Sequence, residues 1–203
     1  MRSIRHIAFA ALAVGLTLGS IGCGESSSNA VAQTPRPRFA GATWPGGPAA
    51  DFALRDQDGR LVRLSSQRGQ FMIVTFLYVH CPDVCPLIAE QLNTALRRLG
   101  PARREVRVLA VSVDPKGDTP AAVRRFVRVH RLLPEFRYLT GKHGQLAPVW
   151  RAYYVSPQPV GGGVSLHSAY ELLIDRTGRP RLSYDARVKA GDIVHDLRLL
   201  GLR

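Results

Sequence analysis

Residues 71–99 read FMIVTFLYVHCPDVCPLIAEQLNTALRRL, and the change of rhythm inside that stretch decides the fold. From Phe71 to Val79 the chain is almost continuously apolar and rich in β-branched and aromatic residues, which suits a strand buried on both faces. From there on the apolar residues Leu87, Ile88, Leu92, Leu96 and Leu99 return at helical spacing, until Gly100-Pro101 stops the helix. Cys81 and Cys85 fall between the two patterns, where the strand hands over to the helix. A sulfur at that place faces the unpaired N–H groups of the helix start, which lowers a thiol pKa. If the first turn is helical, positions i and i+4 share one face, so both sulfurs reach one metal ion or each other. Two sulfurs alone suit a disulfide switch, a metal clamp, or a nucleophile with a spare thiol.

Outward from this stretch, strands and helices alternate. EVRVLAVSVD (105–114) reads as a second buried strand, and Thr119 followed by Pro120 reads as the N-cap and first position of a helix. A short strand in FRYLT, a helix near 143–152 and a Gly/Pro-rich loop, VSPQPVGGGVSLH (155–167), come next. The chain closes with a hairpin across Arg176 to Gly178 and a helix in AGDIVHDLRLLG. Upstream, DFALRDQDGRLVRLSS (51–66) gives two short strands around an Asp-Gly turn. The pattern predicts an α/β domain, a mixed central sheet flanked by helices with an N-terminal β-hairpin, and it contains no internal repeat.

The chain has 203 residues, a net charge of +13 and three cysteines. With Cys23 in the leader, only Cys81 and Cys85 remain for the globular part, which excludes a disulfide scaffold and leaves the pair for chemistry or metal. The arginines are spread along the chain without a nucleic-acid signature, so a generally basic surface and no nucleic-acid partner are expected. Residues 1–22, with a basic start and an apolar run from Ile7 to Gly22, read as a signal peptide. SIGC (20–23), across the cleavage point, resembles a bacterial lipobox with Ser20 where Leu is usual, which makes Cys23 the expected lipidation site and the signal one of lipoprotein type. Residues 23–48, rich in Ser, Pro and Gly, read as a flexible tether, and 49–203 as the folded domain. This organisation predicts an extracytoplasmic, membrane-anchored protein, on the periplasmic face of the cell membrane.

Redox pairs of the thioredoxin type have two residues between their cysteines, and here there are three. The wider bite makes a soft metal held by two thiolates more plausible, with Cu(I) leading, and the pair by itself leaves the redox and metal readings equally open. Among the histidines, His130, His143 and His195 sit in surface or boundary patterns, and His80, next to Cys81, points to the opposite face if the strand continues. His167 stands apart, because it follows Gly161–Gly163 and precedes the strand AYELLID.

In order along the chain, FLYVHCPDVCP, VSVDPKGDTP and SLHSAYELLID resemble the Sco/SenC family over roughly residues 50 to 200. The resemblance implies a thioredoxin-like fold, copper as the bound metal, as Cu(I) and also as Cu(II), and Cys81, Cys85 and His167 as its ligands. It gives Asp114 a supporting place near the site; the aspartate that often precedes the family histidine is Leu166 here. It also implies a role in building the dinuclear CuA centre of cytochrome c oxidase, with the CuA-bearing subunit as partner. A second periplasmic copper chaperone or a thioredoxin-like reductant would complete the set of partners.

Two functions follow. The first is a metallochaperone that passes copper to the oxidase subunit by ligand exchange. The second is a thiol–disulfide reductase that keeps the CuA cysteines reduced, with Cys81 and Cys85 as its redox-active pair. A thiol peroxidase is disfavoured by Tyr78, where peroxiredoxins have threonine, and by the lack of a Trp-Asn-Phe element. A copper-occupancy sensor would need a sensor partner.

Overall fold

A computed structural model describes residues 38–160, 163–166 and 170–203. The signal peptide, Cys23, the first part of the tether and His167 lie outside the described residues. Chain order runs β1 (Ala42–Thr43), β2 (Ala53–Arg55), β3 (Leu61–Arg63), a 3₁₀ turn (Leu64–Gln67), β4 (Phe71–Leu77), α1 (Val84–Arg98) and a second 3₁₀ turn (Gly100–Glu105). It continues with β5 (Val106–Ser112), α2 (Pro120–Val129), β6 (Phe136–Leu139), α3 (His143–Ala152), β7 (Pro157–Val160), β8 (Gly163–Leu166), β9 (Tyr170–Ile174), β10 (Pro180–Asp185) and α4 (Ala190–Leu199).

The main sheet has the order β1-β10-β9-β4-β5-β6. Strands β4, β5 and β6 run parallel, and β9, β10 and β1 continue the sheet antiparallel. All seven residues of β4 are buried, as a strand covered on both faces must be, and each large apolar side chain there contributes roughly 1.5–3 kcal/mol. The expected N-terminal hairpin forms as the two-stranded sheet β2–β3. It covers the outer edge of the main sheet: Arg55 and Thr140 exchange backbone hydrogen bonds, and Gln57 accepts from the Tyr138 N–H. A free strand edge is thereby closed to pairing with another chain.

Two local expectations need correction. The fold begins before residue 49, because Ala42 and Thr43, placed in the tether by composition, pair with Ser183 and Leu182 of β10. Gly and Pro mark where a strand is weak, and they do not exclude one once a neighbour supplies the ladder. The same holds for the Gly/Pro-rich segment after α3, whose backbone forms the antiparallel pair β7–β8.

Candidate metal centre

The parallel strands β4 and β5 end side by side at Leu77 and Ser112, and the Val113 N–H carries the ladder one step further to the Leu77 carbonyl. Their outgoing loops, 78–83 and 113–119, therefore leave the same edge of the sheet, where open α/β folds place their sites. Cys81 lies on the first loop and Cys85 in the first turn of α1. Helix α1 starts at Val84, so Cys81 precedes the helix instead of sharing its first turn. Asp83, at the N-cap position, makes no side-chain cap, and the Cys81 Sγ accepts the Cys85 N–H at 3.4 Å in its place. The sulfur thus caps the helix.

Both cysteines are free and buried, yet their thiols are shifted in opposite directions. Burial pushes the Cys81 thiol up, but the Asp83 and Cys85 N–H groups, the Cys85 thiol and the Tyr78 hydroxyl outweigh it and hold Cys81 below the ordinary thiol value. Burial pushes Cys85 well above the thiol range, helped by the Cys81 sulfur and the Asp118 carboxylate. Tyr78, buried and donating to Cys81, is pushed up to about 12 and stays a hydroxyl at any working pH.

Below the two loops lies Asp118, 3 % exposed. One carboxylate oxygen accepts the Val79 N–H at 2.8 Å; the other accepts the Ser112 hydroxyl at 2.6 Å and the Tyr138 hydroxyl at 2.9 Å. Burial raises this carboxyl to about 6, against the pull of those donors. Sequence reasoning missed Asp118 and Tyr78. An acidic residue just before an N-cap threonine was the available sign, since such a side chain can turn back toward the preceding strand.

Asp114 is bound up with its own loop. Its Oδ1 accepts from the Lys116 and Gly117 N–H groups at 3.2 and 3.0 Å. His80 sits on a turn beyond the end of β4, so the alternation of strand side chains does not govern it. A Cβ on Gly117 would collide with the Asp114 carboxylate and come within 3.0 Å of the His80 ring, so any other residue there would displace the Asp114 side chain. The other described histidines have packing partners: His130 lies on Phe126 and within 3.4 Å of Glu90, His143 stands edge-on to Trp150, and His195 reaches the Arg38 carbonyl. Among the described residues no three His, Cys, Asp or Glu side chains come together as a metal site. Two sulfurs without a hard oxygen donor fit a soft ion such as Cu(I).

A thioredoxin-like domain with one cysteine on the loop after its central strand and a second in the first turn of the following helix is the class that this geometry defines. The SCO1/SenC family model matches residues 46–200, and the chain belongs to that family. Bradyrhizobium japonicum ScoI, solved with copper bound, is similar with a TM-score of 0.67 and 29% identity, over 76% of this chain and 99% of that one. Apo Sco1 from Thermus thermophilus is similar with a TM-score of 0.69 and 29% identity, over 82% and 99%. The bovine mitochondrial SCO2 homologue is 39% identical over 107 residues, a match spanning 52% of this chain and only 40% of that protein.

Proposed function

We propose that the protein is a copper metallochaperone that holds Cu(I) through Cys81, Cys85 and His167 and delivers it to the CuA-bearing subunit of cytochrome c oxidase. The observation that carries this is the pair of buried, unbridged sulfurs at the start of α1 in a chain of the SCO1/SenC family. The copper-bound state of its B. japonicum relative supports the choice of metal. His167 would complete a three-coordinate site, and its place after Gly161–Gly163 suits a ligand that must let go. The N-terminal region, with its signal sequence and Cys23, would hold the domain at the outer face of the cell membrane. There a second periplasmic copper chaperone would load it, and a thioredoxin-like reductant would keep its thiols reduced.

A second reading is favoured by the split between the two thiols. Cys81, whose thiol is shifted down, would be the attacking sulfur: as thiolate it would form a mixed disulfide with one partner sulfur and expel the other as thiolate. Cys85, held as thiol until its proton leaves, would then attack the Cys81 sulfur, release the second partner thiolate and leave the Cys81–Cys85 disulfide. Mixing the copper-loaded protein with a reduced, metal-free CuA domain separates the two. Appearance of the mixed-valence CuA signal in electron paramagnetic resonance, once the mixture is oxidised by one electron per centre with added ferricyanide, supports delivery. Reduction of an oxidised CuA domain without metal transfer would replace delivery by the reductase.

A further inference from the structure

Helix α2 carries a basic face that the metal chemistry does not use. Arg124 and Arg128 stand one turn apart on its exposed side, and Arg131 follows just past its end. Between this face and the turn of the β2–β3 hairpin runs a groove of about 480 Å³, lined by Val127, Leu132 and Leu133 as well as by arginine. Its two walls differ in charge. On the hairpin side Arg137 pairs with Asp56 at 3.2 Å and Arg60 with Asp58 at 3.4 Å, so that wall is close to neutral. On the helix side Arg124, Arg128 and Arg131 have no ion-pair partner among the described residues. Like charges one helical turn apart cost a helix a few tenths of a kcal/mol, so helix stability does not explain them.

We infer that this groove docks an extended acidic segment of a partner protein, with carboxylates at alternate positions and a small apolar side chain between them. Alternate side chains of an extended chain repeat at about 6.6 Å, close to the spacing of about 5–6 Å between helical neighbours four apart. The concave, partly apolar lining suits a peptide better than a flat layer of lipid headgroups. The groove is also mechanically joined to the dithiol. Thr119, which caps α2 by accepting the Ala122 N–H, directly follows Asp118, and Asp118 holds the Val79 N–H two residues before Cys81. Since α2 is about 15 Å long, a partner gripped there stands within reach of the site. The inference does not depend on which ion the cysteines carry, so a failed copper titration leaves it intact.

The test is binding of a labelled peptide of Glu alternating with Ala to the full chain, in wild type and in two charge-reversal variants. R124E/R128E/R131E reverses the charge of the helix wall of the groove, and R98E/R104E/R179E makes the same change of net charge at exposed arginines elsewhere. Binding should weaken about tenfold or more in the first variant and stay near wild type in the second. The milder R124Q/R128Q/R131Q should weaken it in the same direction, which guards against misfolding of the charge reversal. Equal loss in both charge reversals would reduce the effect to bulk charge and overturn the proposal, as would no loss in either. It would also be overturned if the groove variant lost binding to phosphatidylglycerol vesicles while peptide binding was unchanged.

Discussion

Asp118 and Asp196 are both buried carboxylates that fasten an irregular segment to the sheet, and they differ in what lies beyond them. Asp196, on α4, accepts the Ala40 and Gly41 N–H groups at 2.9 Å each and the Tyr184 hydroxyl at 3.0 Å. It fixes the arm that leads into β1, and Gly41 is required there because a Cβ would come within 2.6 Å of the Tyr184 ring. Asp118 fastens the loop that carries Cys81, and its charge is felt at Cys85. The same device is purely mechanical on one side of the molecule and coupled to the thiols on the other. Glu171 sharpens the contrast: it is fully buried on β9, and among the described residues its carboxyl makes no full hydrogen bond, with only the Thr75 hydroxyl beside it. Burial raises it to about 8, with help from the Asp185 charge.

The largest effect should come from Asp118→Ala. It leaves the Val79 N–H and the Ser112 and Tyr138 hydroxyls unpaired in the interior, at a cost of about 3–5 kcal/mol in urea unfolding. Copper affinity should fall with it, because the Cys81 loop loses its anchor. A loss below about 1 kcal/mol would mean that water replaces the carboxylate and that the loop is held by other contacts.

Glu171 ranks next, through pH. Its folded pKa lies above its unfolded value, so its contribution is fully present below about pH 4.5 and is lost as pH rises through about 8. Between about pH 6.5 and 9, mostly above the range where Asp118 titrates, wild type should lose roughly 2 kcal/mol, and Glu171→Gln should flatten that slope. An unchanged slope in the variant would show that Glu171 finds a partner in solution.

For Asp196→Ala the expected cost is about 2 kcal/mol, since water can reach much of the released arm. Proteolysis between residues 38 and 44 should quicken while Cu(I) affinity stays at the wild-type level. A drop in affinity equal to that of Asp118→Ala would end the distinction between the two staples. Thr119→Ala should be the mildest, about 1 kcal/mol from the lost cap on α2.

Much of this was legible in the sequence. The apolar run at 71–79 and the helical spacing from Leu87 placed the dithiol between strand and helix, and Thr119-Pro120 marked the start of α2, because periodicity and caps are local signals. Strand β1 was not legible: two residues of a Gly/Pro-rich segment become a strand only because β10 offers an edge. The Asp118 network joins Val79, Ser112 and Tyr138, which lie far apart along the chain, and no local pattern encodes such a meeting. Asp114, given a supporting place by resemblance, proves to shape its own loop through its Lys116 and Gly117 hydrogen bonds.

The central claim is that Cys81, Cys85 and His167 hold one Cu(I). An anaerobic titration of the reduced protein with Cu(I) against a competing chelator, run on wild type and His167→Ala, tests it directly. The account predicts one equivalent bound tightly by wild type and a sharp fall in affinity in the variant. Weak binding, or equal binding by both proteins, would contradict it and leave the cysteine pair as a disulfide reductant.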